Sequence, residues 1–220
     1  MLKINPISDI PLEEMHLIDG GVAQDMILLL LALNVDKKKR KKRKSSAKVK
    51  PRKVTPKSLI PWEVRIKQWR KAVPIEFVRK CSGLENFVHW KMAESRVFLM
   101  YYMIPLMYLD RKRNFKQDKM NAVLNLIRAY RLISGNTHNP VREDDIIESR
   151  SLFRKSFEQM KALTDGASCS YKAHCSVHLP DDVVYFGCHT GSLAAYPFEN
   201  QVRIFREVPY VKFEKRTVNE

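Results

Sequence analysis

Residues 37–57 divide this chain. The stretch holds thirteen Lys or Arg and no acid, and it opens with eight consecutive cations, Lys37-Lys38-Lys39-Arg40-Lys41-Lys42-Arg43-Lys44. Like charges repel, no apolar face exists, and Pro51 and Pro56 remove backbone donors. The segment cannot pack, so the sequence predicts a solvated, disordered linker over 37–57 and a fold built from the parts on either side. The tract also carries most of the charge. The 220-residue chain is +16, yet residues 1–36 hold one Lys against six acids, and residues 58–220 hold 26 basic and 18 acidic residues. Such a polycation reads as a nuclear-import signal or a nucleic-acid contact that binds any polyanion without reading sequence. The bland alternative is a charged linker in a degraded or mispredicted gene. A membrane-surface role is weaker, because a polybasic patch needs a second anchor and neither end carries a lipidation motif.

The other compositional limits are brief. Residues 1–14, MLKINPISDIPLEE, lack the apolar run of a secretory signal. Met26–Leu33 and Val97–Leu109 are the most apolar stretches, both short of the ~20 residues a membrane span needs, and Pro105 interrupts the second. Four Cys rule out a disulfide scaffold. A cytosolic or nuclear protein with reduced thiols is the expectation.

Periodicity then places the elements. Met15-His16-Leu17-Ile18 reads as a short strand, Asp19-Gly20-Gly21 as its break, and Val22–Val35 as a buried helix, with Asp19 positioned to cap it. Pro61-Trp62 opens a helix through Ile66, Trp69 and Val73 that Pro74 stops. Ser82 and Glu85 suggest a capping box for a long helix through Trp90, Phe98 and Tyr101 to about Ile104. Met120, Val123, Leu124, Ile127 and Arg131 line a further helix, ended by Gly135-Asn136 and Pro140. Ile146, Ile147, Phe153, Phe157 and Met160 give another, to about Leu163. After a polar loop at 164–170, the chain turns short and mixed. Phe198, Val202 and Phe205 then mark a final helix beginning near Pro197. Trp62, Trp69, Trp90, Tyr101 and Tyr102 could stack on bases, but at helical spacing among aliphatics they read as core.

Several segments together resemble the C-terminal half of transposase-like proteins of cut-and-paste DNA elements, of the CACTA (En/Spm-like) class and its animal transposase domain-containing relatives. They are Met15–Val22, Trp90–Arg96, Phe98–Tyr102, His174–Leu179, Asp182–Gly187 and Ala195–Asn200. Their order and spacing carry the resemblance, which covers roughly residues 15–205; the basic tract is not part of it. The resemblance implies an RNase H-like fold with three acids that hold Mg²⁺ or Mn²⁺ for in-line attack at phosphorus. By analogy Asp19 stands where the second acid would be, and Glu199 where the third would be. Only eighteen residues precede Asp19, and Asp9 lies in no core strand, so the first acid has no place. What the resemblance implies is therefore a catalytically incomplete, truncated, domesticated or decaying copy, not expected to be active as an enzyme.

Cys169, His174, Cys175, His178, Cys188 and His189 crowd into 21 residues, which invites a zinc reading. The tight Cys-x2-Cys knuckle is missing. His174 and His178, an i, i+4 pair, could ligate a metal, hydrogen-bond a carboxylate such as Asp181, or pack. No Cys has the surroundings of a hydrolase nucleophile, and Gly20-Gly21 alone makes no phosphate loop.

The expected fold is mainly α: a helical bundle over 58–164, with a small, incomplete RNase H-like α/β remnant formed by the two ends, 1–36 and 165–210, and a tail over 211–220. The expected function is that of a transposase-derived nuclear protein. Its partners would be DNA, a nuclear import receptor or a related transposase, with no membrane partner and no cofactor beyond Mg²⁺ or Mn²⁺ for any residual activity. The alternative is a non-enzymatic helical interaction module with an import signal. A third reading is a nuclease completed by a partner chain that supplies the first acid.

Overall fold

The structure is a computed structural model that describes residues 10–33, 59–74, 79–110, 117–134, 140–166, 169–197, 199 and 201. The basic tract 37–57, Asp9, Gly135-Asn136, the stripe Phe198, Val202 and Phe205, and the tail 211–220 lie outside these residues. The described residues are mainly helical and contain no strand. No helix among them is long and apolar enough to cross a membrane.

The absence of strands corrects the expected α/β remnant at its first element. Met15–Val22 form a π-helical segment that runs directly into the α-helix Ala23–Leu33; together they make helix α1. A four-residue apolar run fits a strand or one turn of a buried helix equally well, and the described residues hold no strand for it to pair with. Gly20-Gly21 does not break the helix but lets other elements come close. A Cβ on Gly20 would lie 2.9 Å from Met92 Cε, and one on Gly21 would lie 2.6 Å from Lys172 Cδ. Asp19 is not the cap. The first turn is held by Glu13, whose Oε1 accepts from Met15 N at 2.8 Å and whose Oε2 accepts from His16 N at 2.9 Å.

Helix α2 spans Ile60–Trp69, with Pro61 in its first turn, where the missing N–H has no intrahelical partner to lose. The long helix expected from Ser82 is in fact two pieces. A 3₁₀ turn, Leu84–His89, ends at Trp90, and α3 starts afresh. Glu94 sets that start: its Oε2 accepts from Lys91 N at 3.0 Å, while its Oε1 accepts from Ser82 N at 3.1 Å. Ser82 is thus a donor to a remote carboxylate rather than half of a capping box. Helix α3 comprises Met92–Val97, a π segment Phe98–Tyr102, and Met103–Leu109, and so passes through Pro105. In π register the Met100 carbonyl would pair with the N–H of residue 105, which proline lacks. Arg131 Nη2 supplies the missing donor at 2.5 Å.

Helices α4 (Gln117–Ile133) and α5 (Glu143–Leu163) form an antiparallel pair. Two buried serines on α5, seven residues apart, donate to two carbonyls on α4, also seven apart: Ser149 Oγ to Ala129 O and Ser156 Oγ to Ala122 O, each 2.8 Å. The alanines let the backbones approach, and the hydroxyls fix the register. The chain closes with α6 (Tyr171–Cys175), a 3₁₀ turn Ser176–His178, α7 (Leu179–Phe186, ended by left-handed Gly187) and a 3₁₀ turn Thr190–Leu193. The described part of the region expected to complete an α/β remnant is therefore helical as well. One core draws on α1 to α5 and on Leu179 and Val183 of α7. Trp62, Trp90 and Tyr102 belong to it, Trp69 is half-buried, and Tyr101 faces out.

Candidate functional site

The first turns of α1 carry acids that the core cannot leave unpaired. In an α-helix residues five apart point about 140° away from each other; in π register, with its i→i+5 pairing, they come round to the same side. The π segment therefore turns Glu14 and Asp19 inward on one side, and both side chains are fully buried. A buried carboxylate needs a cation or hydrogen-bond donors. Arg96, on the first turns of α3, provides the cation: its Nη1 is 2.7 Å from Glu14 Oε1 and 3.7 Å from Asp19 Oδ2. Beneath the guanidinium lies the Tyr130 ring of α4, its centroid 5.5 Å from Cζ.

The C-terminal segment completes the enclosure. Thr190 Oγ1 donates to Glu14 Oε2 at 2.5 Å, and the Tyr196 hydroxyl donates to Asp19 Oδ2 at 2.8 Å. Ala195 N donates to Glu13 Oε1 at 2.6 Å, and Leu12 N donates to Asp182 Oδ2 at 2.6 Å. At the solvent edge, Glu13 Oε2 is 2.6 Å from His16 Nδ1, and His16 Nε2 is 3.6 Å from Glu199 Oε1.

The charge balance is uneven. Two buried carboxylates share one guanidinium, and Asp19 Oδ1 and the Tyr130 hydroxyl have no partner among the described residues. Burial pushes the Asp19 carboxyl up to about 7, against the pull of Arg96 and the Tyr196 hydroxyl and with the push of Glu14 and Glu13. Burial also raises Tyr130 and Tyr196, and the Asp19 charge adds to both. For Glu13, burial is outweighed by the hydrogen bonds from Ala195, His16 and Met15, which hold its carboxyl below the usual range.

Of the expected acids, Asp19 is buried against Tyr196 and Arg96, whereas Glu199 is exposed beside His16. The start of α1 and the C-terminal segment meet here: Tyr196 stands three residues before Glu199, and His16 three before Asp19. The donor set does not suit Mg²⁺ or Mn²⁺, which take about six oxygens. Glu14 has both oxygens engaged and Asp19 has Oδ2 engaged, leaving Oδ1 as the one free carboxylate oxygen of the pair. A divalent ion there would also face Arg96. Among the described residues no group of three His, Cys, Asp or Glu is placed to hold a metal ion.

The Cys/His cluster stays dispersed. The His174 and His178 rings meet edge to face at 5.2 Å and both residues are exposed; His178 Nδ1 lies 3.7 Å from Asp181 Oδ2. Cys169 is exposed, Cys175 buried and Cys188 intermediate. Lys37–Lys44 lie outside the described residues.

Sequence reasoning singled out Asp19 but missed Glu14, Arg96, Thr190 and Tyr196 as its companions. Arg96 and Tyr196 stood inside segments quoted for the resemblance, and the adjacent acids Glu13-Glu14 before an apolar run were the remaining signal. Comparison with family models, with curated proteins and with solved structures found no match to this chain.

Proposed function

We propose that this chain is a transposase-derived nuclear protein, catalytically inert, that binds DNA without sequence preference through its basic tract. The observation that carries the inert reading is Arg96: a guanidinium neutralises Glu14 and Asp19 where a metal-dependent nuclease would need a divalent ion. The transposase origin is supported by convergence. Met15–Val22, Trp90–Arg96 and Ala195–Asn200, far apart in the sequence, meet at one site through Asp19, Arg96 and Tyr196. DNA binding and import are supported by the thirteen cations of 37–57.

The test is binding to a duplex over a range of salt. A tract that neutralises about eight phosphates gives a slope of log K against log salt of about −7, and its removal flattens the slope. Absence of any DNA retardation at low salt would leave the second reading, a protein-interaction module whose tract serves import alone. That reading is favoured by a groove of about 700 Å³ between α5 and α7, where Ile147 and Val184 are exposed.

A further inference from the structure

Independently of the DNA-binding reading, we infer that the outer face of α5 docks on the same face of a second copy of this chain, as an antiparallel helix pair about a two-fold axis. That face is made by Glu143, Asp144, Ile147, Ser151, Arg154 and Lys155, all exposed. Helix geometry gathers them. Residues four apart lie within about 40° of each other around the axis, and residues eleven apart within about 20°. Ile147 and Ser151 therefore form a midline. Glu143 and Arg154 fall on one side of it, Asp144 and Lys155 on the other.

The pattern is its own complement. A two-fold axis normal to the plane of the two helices reverses the order of residues along the face and keeps its sides. With that axis midway between Ile147 and Ser151, each Ile147 meets Ser151 of the second copy, whose small side chain leaves it room. Glu143 then comes within about 1.5 Å of the level of Arg154 of the second copy, and Asp144 equally near that of its Lys155. Each pairing occurs twice, as an isologous interface requires. A foreign partner would place no such demand on both ends of one face.

The ordinary causes of helix charge do not cover this pattern. The dipole accounts for Glu143 and Asp144 in the first turn, but its effect is confined to the terminal turns. Arg154 and Lys155 stand about two turns before α5 ends at Leu163. The next acid along, Glu158, lies 3.9 Å from Lys161 instead. None of the four charged residues forms an ion pair with another described residue. On the flanks, by contrast, Arg150 is held by Asp181 at 2.6 Å and Glu148 by Arg128. The groove between α5 and α7 opens on the Glu143 side of the midline, with Val184 exposed at its wall. The aliphatic stem of Arg154 from the second copy has that apolar wall to lie along.

Sedimentation equilibrium of the full chain from about 10 to 300 µM covers the range of a weak, reversible dimer. The parent should form a dimer and no larger species, because a two-fold pair is closed. E143R/D144R makes every charge of the face basic, and R154E/K155E makes every one acidic. Each should weaken the dimer by about tenfold or more, since like charges then stand opposite each other. Combining all four substitutions exchanges the signs and should restore association. Circular dichroism checks that each variant is folded, and E143R, R154E and their combination serve if a double change is not tolerated. A parent that stays monomeric throughout would overturn the inference. So would a dimer that neither reversal weakens, or one that exchanging the signs does not restore.

Discussion

Asp19→Asn should stabilise the protein at high pH and mildly destabilise it at low pH. The parent carboxyl titrates near 7 when folded and near its ordinary 3.8 when unfolded. The folded state therefore binds this proton more tightly. Stability from the group is fully present below about pH 4, falls as pH rises through 7, and is flat above that, where both states are ionised. A gap of about three units corresponds to about 4 kcal/mol. Asparagine cannot ionise, and its side-chain oxygen still accepts from the Tyr196 hydroxyl. Its NH₂ takes the place of the unpartnered Oδ1, and an unmet donor costs about 1 kcal/mol. The variant should thus be about 1 kcal/mol less stable than the parent at pH 4 and about 3 kcal/mol more stable at pH 8. Urea unfolding of both proteins at each pH unit between 4 and 8 gives the difference curve, in which other carboxylates cancel. A flat difference curve, or one falling toward high pH, would refute the assignment of a buried, proton-holding Asp19.

Arg96→Met leaves Glu14 buried with one partner and should destabilise by about 3 to 5 kcal/mol; adding Glu14→Gln should recover much of that in a denaturation midpoint. Gly83 has φ of 101° and a Cβ there would overlap Glu63 Oε1, so Gly83→Ala should lower stability by about 2 kcal/mol or more. Arg131→Ala removes the donor to the Met100 carbonyl and should cost about 1 kcal/mol. The loss should shrink in a Pro105→Ala background, where an N–H returns, and a double-mutant cycle measures the coupling.

The parts of the fold that follow from local pattern were legible. The apolar stripes of α4 and α5 repeat at helical spacing over about three to four turns, and that alone identifies them. Lengths and breaks that depend on remote partners were not. Nothing near Ser82 shows that Glu94 will take its N–H, and nothing in Met15–Val22 alone shows that Met92 and Lys172 will lie against Gly20 and Gly21 and keep the chain helical. The site divides the same way. An acid beside two glycines drew attention to Asp19, and the resemblance pointed to residues near 199. The partners that decide its chemistry are set by tertiary packing: Arg96 from α3, Thr190 and Tyr196 from the C-terminal segment. Bringing Glu14 and Asp19 to one side needs a π segment that 3.6-residue periodicity does not announce. Tyr101 is exposed where its aromatic neighbours Trp90 and Tyr102 are buried, because the π segment Phe98–Tyr102 shifts the face that the α-helical count assigns to the core.

The central claim is that a guanidinium, not a divalent ion, neutralises the acids where α1 meets the C-terminal segment. Supercoiled plasmid incubated with the purified chain and Mn²⁺ tests it. The account predicts a background of nicking that is the same for the parent, Asp19→Asn and Glu199→Ala proteins. Manganese-dependent strand scission by the parent that either substitution abolishes would contradict it.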